Sequence, residues 1–298
     1  MELTFSQRLT RRYLRNLSWL RPFVSLETYQ ALRYRAWYGE RLPLDHPVTF
    51  TQRLFVKMAR DRNPLLPLVA DKATMRDYVE QRLGPGHLAE AYAVLDSPEA
   101  LRDATLPARY VVKATRGSSM HAFVEQDSPA RRAEVVAQAR RWFRKRHGER
   151  HGEWAYLGLR QRLVVEERLD DGEHAVPLDW KWFCFRGEVG IVQLDGERFT
   201  SHWRNMYAPD GTQLDVMRHY PAGPPLPAPA SFGAMRRIAE RLSEAFDFIR
   251  VDLYALRDRI VVGELTHYPD TGRQLFQPEE WEIRLGELWA RRAQSHHP

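Results

Sequence analysis

The chain has 298 residues, 43% hydrophobic and 28% charged, which is enough apolar sequence for one large folded domain or two ordinary ones and too much for a disordered polymer. Lys and Arg outnumber Asp and Glu by 45 to 39, and the resulting +6 suits an anionic ligand or surface without choosing among a nucleotide, a phospholipid and an acidic polymer. The single cysteine, Cys184, excludes an internal disulfide framework and a cysteine-rich zinc site. With no uncharged apolar run of about 18 residues and no apolar core of a secretion signal at the N-terminus, the expected location is cytoplasmic.

Taken in chain order, residues 1–41 are rich in arginine and aromatics, with eight arginines against Glu2, Glu27 and Glu40. Leu9, Tyr13, Leu17 and Leu20 recur at helical spacing. This segment is either a basic amphipathic helix resting on the inner face of an anionic membrane or an ordinary surface helix docked by its apolar stripe. Helices are predicted over TFTQRLFVKMARD, capped by Thr49 or Thr51, and over KATMRDYVEQRL, capped by Asp71 and ended by the glycines at 84 and 86. RYVVKAT (109–115) and AFVEQ (122–126) read as strands around a loop at 116–119, followed by a long basic helix after Ser128-Pro129 and a strand at 162–169. From residue 178 strands dominate: LDWKWFCF, EVGIVQL and FTSHWRNMYA are separated by the turn signals RG, DGE and PDG. A helix over 231–245, a hairpin formed by FIRVDLYAL and RIVVGELT, and a closing helix over WEIRLGELWARRA complete an α+β pattern.

The last hairpin carries the strongest chemical clue. Strand alternation puts Phe248, Arg250, Asp252 and Tyr254 on one face, and Val262, Glu264 and Thr266 on one face of the next strand. A turn centred on Asp258 sets Asp252 opposite Glu264. Two carboxylates facing each other across a ladder repel, and a hard divalent cation such as Mg²⁺ relieves that repulsion while sharing its shell with phosphates. The alternatives are a solvent-facing carboxylate, a simple Arg250–Asp252 ion pair, or a one-residue register slip.

Lys113 lies in an otherwise apolar strand, where an unpaired lysine is costly. It precedes Thr115, Gly117, Ser118 and Ser119, a small-residue loop that either covers phosphates with its N–H groups or is a plain turn; no GxxxxGK[ST] motif is present. Asp179 and Lys181 share a strand face, as a surface ion pair or as a second lysine offered to a polyphosphate. Glu166 and Glu167 are adjacent, so on a continuous strand at most one would serve a given pocket. The histidines show no HExxH spacing, GxSxG is absent, and Cys184 alternates with two tryptophans as a core residue would.

The ordered set DKATMRDYV, LPARYVVKATRGSS, LVVEERL, LDWKWFCFRGEV, FDFIRVDLY and GELTHYPDTG resembles the ATP-grasp superfamily and, more narrowly, the TupA-like ATP-grasp family of bacterial polysaccharide biosynthesis. The resemblance runs from about residue 40 to about residue 290. It implies an ATP-grasp fold in which two α+β lobes hold the nucleotide: a helical N-terminal segment (1–70), a lid and nucleotide-binding lobe (71–170) and a metal-binding lobe (171–298). It further implies that Lys72 and Lys113 contact phosphates, that Asp179 and Lys181 form the D-x-K of the family's strand, and that Thr115 to Ser119 close as a lid. Glu166, Glu167 and the backbone at Leu169 would meet adenine, and Asp170 or Glu173 the ribose. Arg250 would stabilise the transferred phosphoryl group, and Asp252, Glu264 and Thr266 would hold Mg²⁺. The sequence departs from the superfamily at Glu264-Leu265-Thr266, where E-x-N is usual, and at His267, where an aromatic is expected.

The activity so implied is an ATP- and Mg²⁺-dependent carboxylate–amine ligation through an acyl phosphate, joining an amino acid or peptide to a sugar acid or glycan. A kinase on the same fold and a non-catalytic basic binding module for glycan or nucleic acid are the competing readings. No nucleic-acid-binding motif supports the last, so no nucleic acid partner is expected.

Overall fold

The computed structural model describes residues 17–145, 148–174, 176–197 and 201–294. Residues 1–16 of the arginine-rich N-terminal pattern, with Leu9 and Tyr13, lie outside these residues. Helices α1 (Leu26–Tyr38), α2 (Phe50–Arg60), α3 (Leu65–Ala70) and α4 (Met75–Leu83) come first. Thr49 starts α2 with a reciprocal capping box with Gln52, as the sequence predicts. Asp71, predicted to cap the next helix, instead holds the turn before it: its Oδ1 accepts from the Ala73 N–H at 2.8 Å, and α4 begins only at Met75, with Thr74 at its N-cap position.

Two antiparallel sheets follow. The smaller has strand order β1-β4-β2-β3, from β1 (Ala91–Leu95), β2 (Tyr110–Ala114), β3 (His121–Val124) and β4 (Leu163–Glu166). Helix α5 (Pro129–Phe143), capped by Ser128, covers one face through Val135, Val136 and Ala139, which pack with Tyr110, Val112 and Val165. The larger sheet has the order β10-β9-β5-β6-β7-β8, from β5 (Asp179–Phe185), β6 (Glu188–Gly196), β7 (Trp203–Tyr207), β8 (Gln213–Leu214), β9 (Ile249–Ala255) and β10 (Ile260–Thr266).

Alternation along β5 decides how this sheet is used. Trp180 and Trp182 turn to α6 (Phe232–Ser243), where both rings meet Phe232 at 5.6 and 4.7 Å. Phe183 and Phe185 turn the other way, into an aromatic cluster with Phe248 and Phe50 beneath α2 and α7 (Glu280–Gln294). Asp179 and Lys181 lie on that second face too, so it runs from aromatic at one end of the strand to charged at the other. Cys184 is fully buried, as its alternation with the tryptophans predicts, and burial pushes its thiol pKa well up.

The stretch 71–88, grouped by sequence with the lid lobe, buries Met75, Tyr78, Val79 and Leu88 in the core of the larger sheet instead. Tyr78 Oη donates to the Leu242 carbonyl at 2.8 Å and ties α4 to α6. The smaller sheet, with β1 and α5, has a core of its own.

Gly286 gives a direct test of the packing of α7 on α2. A Cβ at this position would lie 1.9 Å from the Val48 carbonyl oxygen. In an exposed helix Gly→Ala stabilises by about 1 kcal/mol, whereas overpacking costs about 1–3 kcal/mol. Gly286→Ala is therefore expected to lower the midpoint of urea unfolding; a raised midpoint would show that α7 does not approach Val48 so closely.

Candidate active site

Between the two sheets lies a cleft of about 390 Å³, lined by residues of both. From the smaller sheet come Val111, Lys113, Phe123 and Glu166, with Gly117, Ser118 and Ser119 of the β2–β3 loop. From the larger come Asp179, Lys181, Asp252, Tyr254, Gly263 and Glu264. Lys72 and the segment Glu167–Leu169 complete the walls.

Asp252 and Glu264 are cross-strand partners, though not by the simple turn. Nearer the turn, Tyr254 pairs with Val261 and Leu253 with Val262, a register that would put Glu264 opposite Val251. A β-bulge at Gly263 adds one residue to β10 and shifts the ladder, so that Glu264 meets Asp252 and Thr266 meets Arg250. The glycine is required there: a Cβ would come within 2.6 Å of the Tyr254 ring.

Each of the opposed carboxylates has its own cations. Arg250 grips Asp252 with both arms of its fork, Nε to Oδ1 and Nη2 to Oδ2, each at 2.7 Å. Lys181 Nζ donates to Asp252 Oδ2 at 2.9 Å and also to Asp179. Lys72 Nζ donates to Glu264 Oε1 at 3.0 Å and to the Gly117 carbonyl at 3.1 Å. Burial works against the charge on Glu264, but Lys72 and Arg250 outweigh it and hold its carboxyl at about 2. Lys113 donates to Glu166. Burial lowers the Lys113 pKa, the Glu166 charge outweighs this, and the net shift is upward, so the ammonium stays charged.

Lys72 spans the two sheets. Its backbone N–H donates to the Thr115 carbonyl at 2.8 Å, fixing it to the end of β2, while its side chain reaches β10. Thr115 serves that junction: it is fully buried, and its hydroxyl accepts from the Arg162 N–H at 3.3 Å, so it does not reach the cleft wall. Gly117 takes φ +98°, the left-handed region a glycine adopts without strain, and leaves Ser118 and Ser119 exposed at the rim.

Other expected residues lie elsewhere. The Asp179–Lys181 pair is buried in the cleft wall, not on the surface. Arg250 sits behind Asp252, 8% exposed, and its Nη2 reaches the Thr266 hydroxyl at 3.2 Å; neither Arg250 nor Thr266 lines the cleft. Glu166 and Glu167 both line it, because β4 ends at Glu166 and the alternation that would have separated them stops there. Glu167 is held by Arg259 at 2.5 Å. Glu173 is exposed and outside the cleft, its N–H donating to Asp171 at 3.0 Å; Asp170 is likewise exposed.

Several lining residues were not singled out from sequence. Tyr254 follows from the alternation that places it with Asp252. Phe123 and Arg168 form an apolar and cationic wall, the guanidinium 4.6 Å from the ring centroid. His202 and Tyr220, stacked at 3.7 Å, form another wall.

The donor set fits Mg²⁺. Among the described residues no group of three or more His, Cys, Asp or Glu side chains could hold a metal. The two opposed carboxylates offer oxygen ligands to a hard cation whose remaining shell phosphate oxygens and water would supply, and the lysines around them suit the phosphates.

His267, next to the metal-type strand, is fully buried, and its Nε2–H donates to the Leu66 carbonyl at 3.0 Å. Burial lowers its pKa to about 3, with Lys57 acting in the same direction. The unfolded chain takes up this proton near pH 6.5 and the folded chain only near 3, so stability from the neutral imidazole is complete above about pH 6.5 and is lost as pH falls toward 3. His267→Gln, which keeps a donor for Leu66, is expected to flatten the pH dependence of the unfolding free energy across that window. An unchanged slope would place the acid sensitivity elsewhere.

A family model described as TupA-like ATPgrasp matches residues 52–290. No curated protein matches the chain. Among solved structures, the ATP-grasp ligase PsnB complexed with minimal precursor is 10% identical, over 77% of this chain and 62% of that chain, with a TM-score of 0.42. D-cycloserine synthetase DcsG is 18% identical over 82% and 77% of the two chains, with a TM-score of 0.47. D-alanine–D-alanine ligase from Bacillus anthracis is 14% identical over 78% and 70%, with a TM-score of 0.45. The chain thus spans about three-fifths of the PsnB chain.

Proposed function

We propose that this chain, which belongs to the TupA-like ATP-grasp family, is an ATP- and Mg²⁺-dependent ligase that joins a carboxylate to an amine through an acyl phosphate. The observation that carries the reading is the Asp252–Glu264 pair, opposed across β9 and β10 in a cleft where Lys72, Lys113 and Lys181 converge from three different segments. Transfer of a phosphoryl group needs positioning and charge neutralisation more than a covalent nucleophile, and this wall offers cations and carboxylates with no cysteine.

Within this reading Asp252 and Glu264 would hold Mg²⁺, which neutralises phosphate charge when bound. Lys113, Lys181 and Lys72 bind phosphate oxygens as point charges, and Ser118 and Ser119 offer donors at the rim of the loop. Arg250 acts through Asp252, fixing that carboxylate with two hydrogen bonds at 2.7 Å. Phe123, Leu169 and Tyr254 supply apolar surface for a purine, with Glu166 and Glu167 at the hinge.

The finer reading is that the amine belongs to an amino acid or peptide and the carboxylate to a sugar acid or glycan of a cell-surface polysaccharide. The family and the +6 net charge support it. No helix among the described residues is long and apolar enough to cross a membrane. The arginine-rich N-terminal segment, with Trp19 and Phe23 exposed just after it, would hold the enzyme at an anionic lipid surface. Deleting residues 1–16 is then expected to abolish co-sedimentation with phosphatidylserine vesicles; equal sedimentation of both forms refutes the anchoring role.

Calorimetric titration with a non-hydrolysable ATP analogue is expected to show binding that requires Mg²⁺ in the wild type. Glu264→Gln should keep the fold, lose that dependence and reduce turnover by about 10²–10³-fold, the usual effect of removing one charge-stabilising group. Asp252→Asn should do the same at a further cost in stability, because it leaves Arg250 and Lys181 buried beside a neutral amide. Magnesium-dependent binding and ATP turnover unchanged in Glu264→Gln would overturn the assignment. Product analysis separates ligation, which frees phosphate, from phosphorylation, which keeps it on the product.

A further inference from the structure

A second cavity, of about 600 Å³, shares no lining residue with the cleft. Its charged walls are Arg53, Lys57 and Arg60 of α2, Asp61, Asp247 and Arg186 of the β5–β6 turn. Arg186 comes seven residues after Asp179 along β5, so at about 3.3 Å per residue this groove lies roughly 20 Å from the cleft wall.

The charges in the groove do not close. Lys57, on the floor, is answered by Asp61 at 2.5 Å and by Asp247. Arg60 is answered by Glu27 at 2.9 Å and Asp45 at 3.0 Å. Trp289 Nε1 donates to Asp247 at 3.1 Å. Every carboxylate lining the groove is thus engaged, and two guanidinium groups remain. Neither the Arg53 nor the Arg186 side chain has a hydrogen bond or ion pair among the described residues, and the Nε of each is buried without an acceptor. Burial lowers the Arg53 pKa, with no neighbouring charge to offset it.

Two guanidinium groups lining one groove without a carboxylate partner leave donors free for an anionic ligand. Arg186 is also held in an unusual place. It takes φ +46° and Gly187 takes φ +81°, in a two-residue turn between the paired residues Phe185 and Glu188. Asn, Asp or Gly suits the first of those positions, because a side chain there is strained. The turn therefore keeps a long cationic side chain at the groove where its backbone favours a short one.

We propose that this groove is a second anion site, in which Arg53 and Arg186 together take one oxyanion group, a phosphate ester or a uronate carboxylate. Planar guanidinium donors suit either group, since both present paired oxygens. The site stands on the groove alone and does not depend on the ligase reading.

The test uses the full chain labelled with ¹⁵N, following the arginine Nε–Hε resonances during titration with sodium phosphate and, separately, with sodium galacturonate at matched ionic strength. The resonances of Arg53 and Arg186 are assigned by their loss in Arg53→Gln and Arg186→Gln. Saturable shifts at both resonances are expected with at least one probe, and the tighter probe identifies the source of the oxyanion. Each single variant should weaken that binding at least tenfold, while Lys72→Gln/Lys113→Gln, altered in the cleft, binds as the wild type does. The proposal is overturned if neither probe gives saturable shifts, if binding survives unchanged in both arginine variants, or if it disappears only in the cleft variant.

Discussion

Two carboxylates on neighbouring strands, Asp252 and Glu264, set the terms for the rest of this molecule. Like charges directly opposed in a ladder destabilise it, and burial makes each charge more costly still. The chain answers with cations drawn from separate places: Arg250 from the same strand, Lys181 from β5, and Lys72 from the turn before α4. Because Lys72 is also hydrogen-bonded through its backbone to the end of β2, the charge balance of the larger sheet fixes a point on the smaller one. The cleft exists where these two demands meet. On the proposed reading, the lysines that neutralise these carboxylates would exchange them for phosphate oxygens.

The bulge at Gly263 shows how narrowly the pairing is determined. A hairpin with the observed turn and no extra residue would leave Glu264 facing Val251, on the apolar side covered by α6. The added residue rotates Glu264, Leu265 and Thr266 by one position. It also opens the space that the Tyr254 ring occupies beside the cleft. One glycine therefore performs two tasks, turning a carboxylate toward its partner and making room for the aromatic wall.

What could be read from the sequence follows from which physical signal each feature leaves. Strand alternation alone placed Arg250, Asp252 and Tyr254 on one face and Trp180, Trp182 and Cys184 on the other of their strands, because each segment is long, regular and bounded by turn residues. The Asp252–Glu264 partnership was legible, but through a symmetric turn centred on Asp258, and it is the bulge that produces it. A bulge leaves only a glycine in a strand as its trace. Distances along the chain hid the rest. That Asp179 and Lys181 are buried depends on β9 lying beside β5, and that Thr115 turns away from the cleft depends on Arg162, 47 residues later. The packing of α4 against α6 in place of the lid is a tertiary choice that no local pattern records.

Arg250 joins these levels. It follows Phe248 on a single strand face, with the aromatic cluster on one side and Asp252 on the other. A buried guanidinium in an apolar setting is expensive unless its donors are matched, and here the carboxylate two residues along takes both arms. Removing either partner would strand a buried charge. The pair leaves Asp252 with one orientation, its Oδ2 shared between Arg250 and Lys181. The charged end of the β5–β9 face lines the cleft, whereas the aromatic end is roofed by α2 and α7. The boundary between the two ends is a change of residue type along one face of two strands. The position of the site is therefore fixed by the same alternation that builds the core.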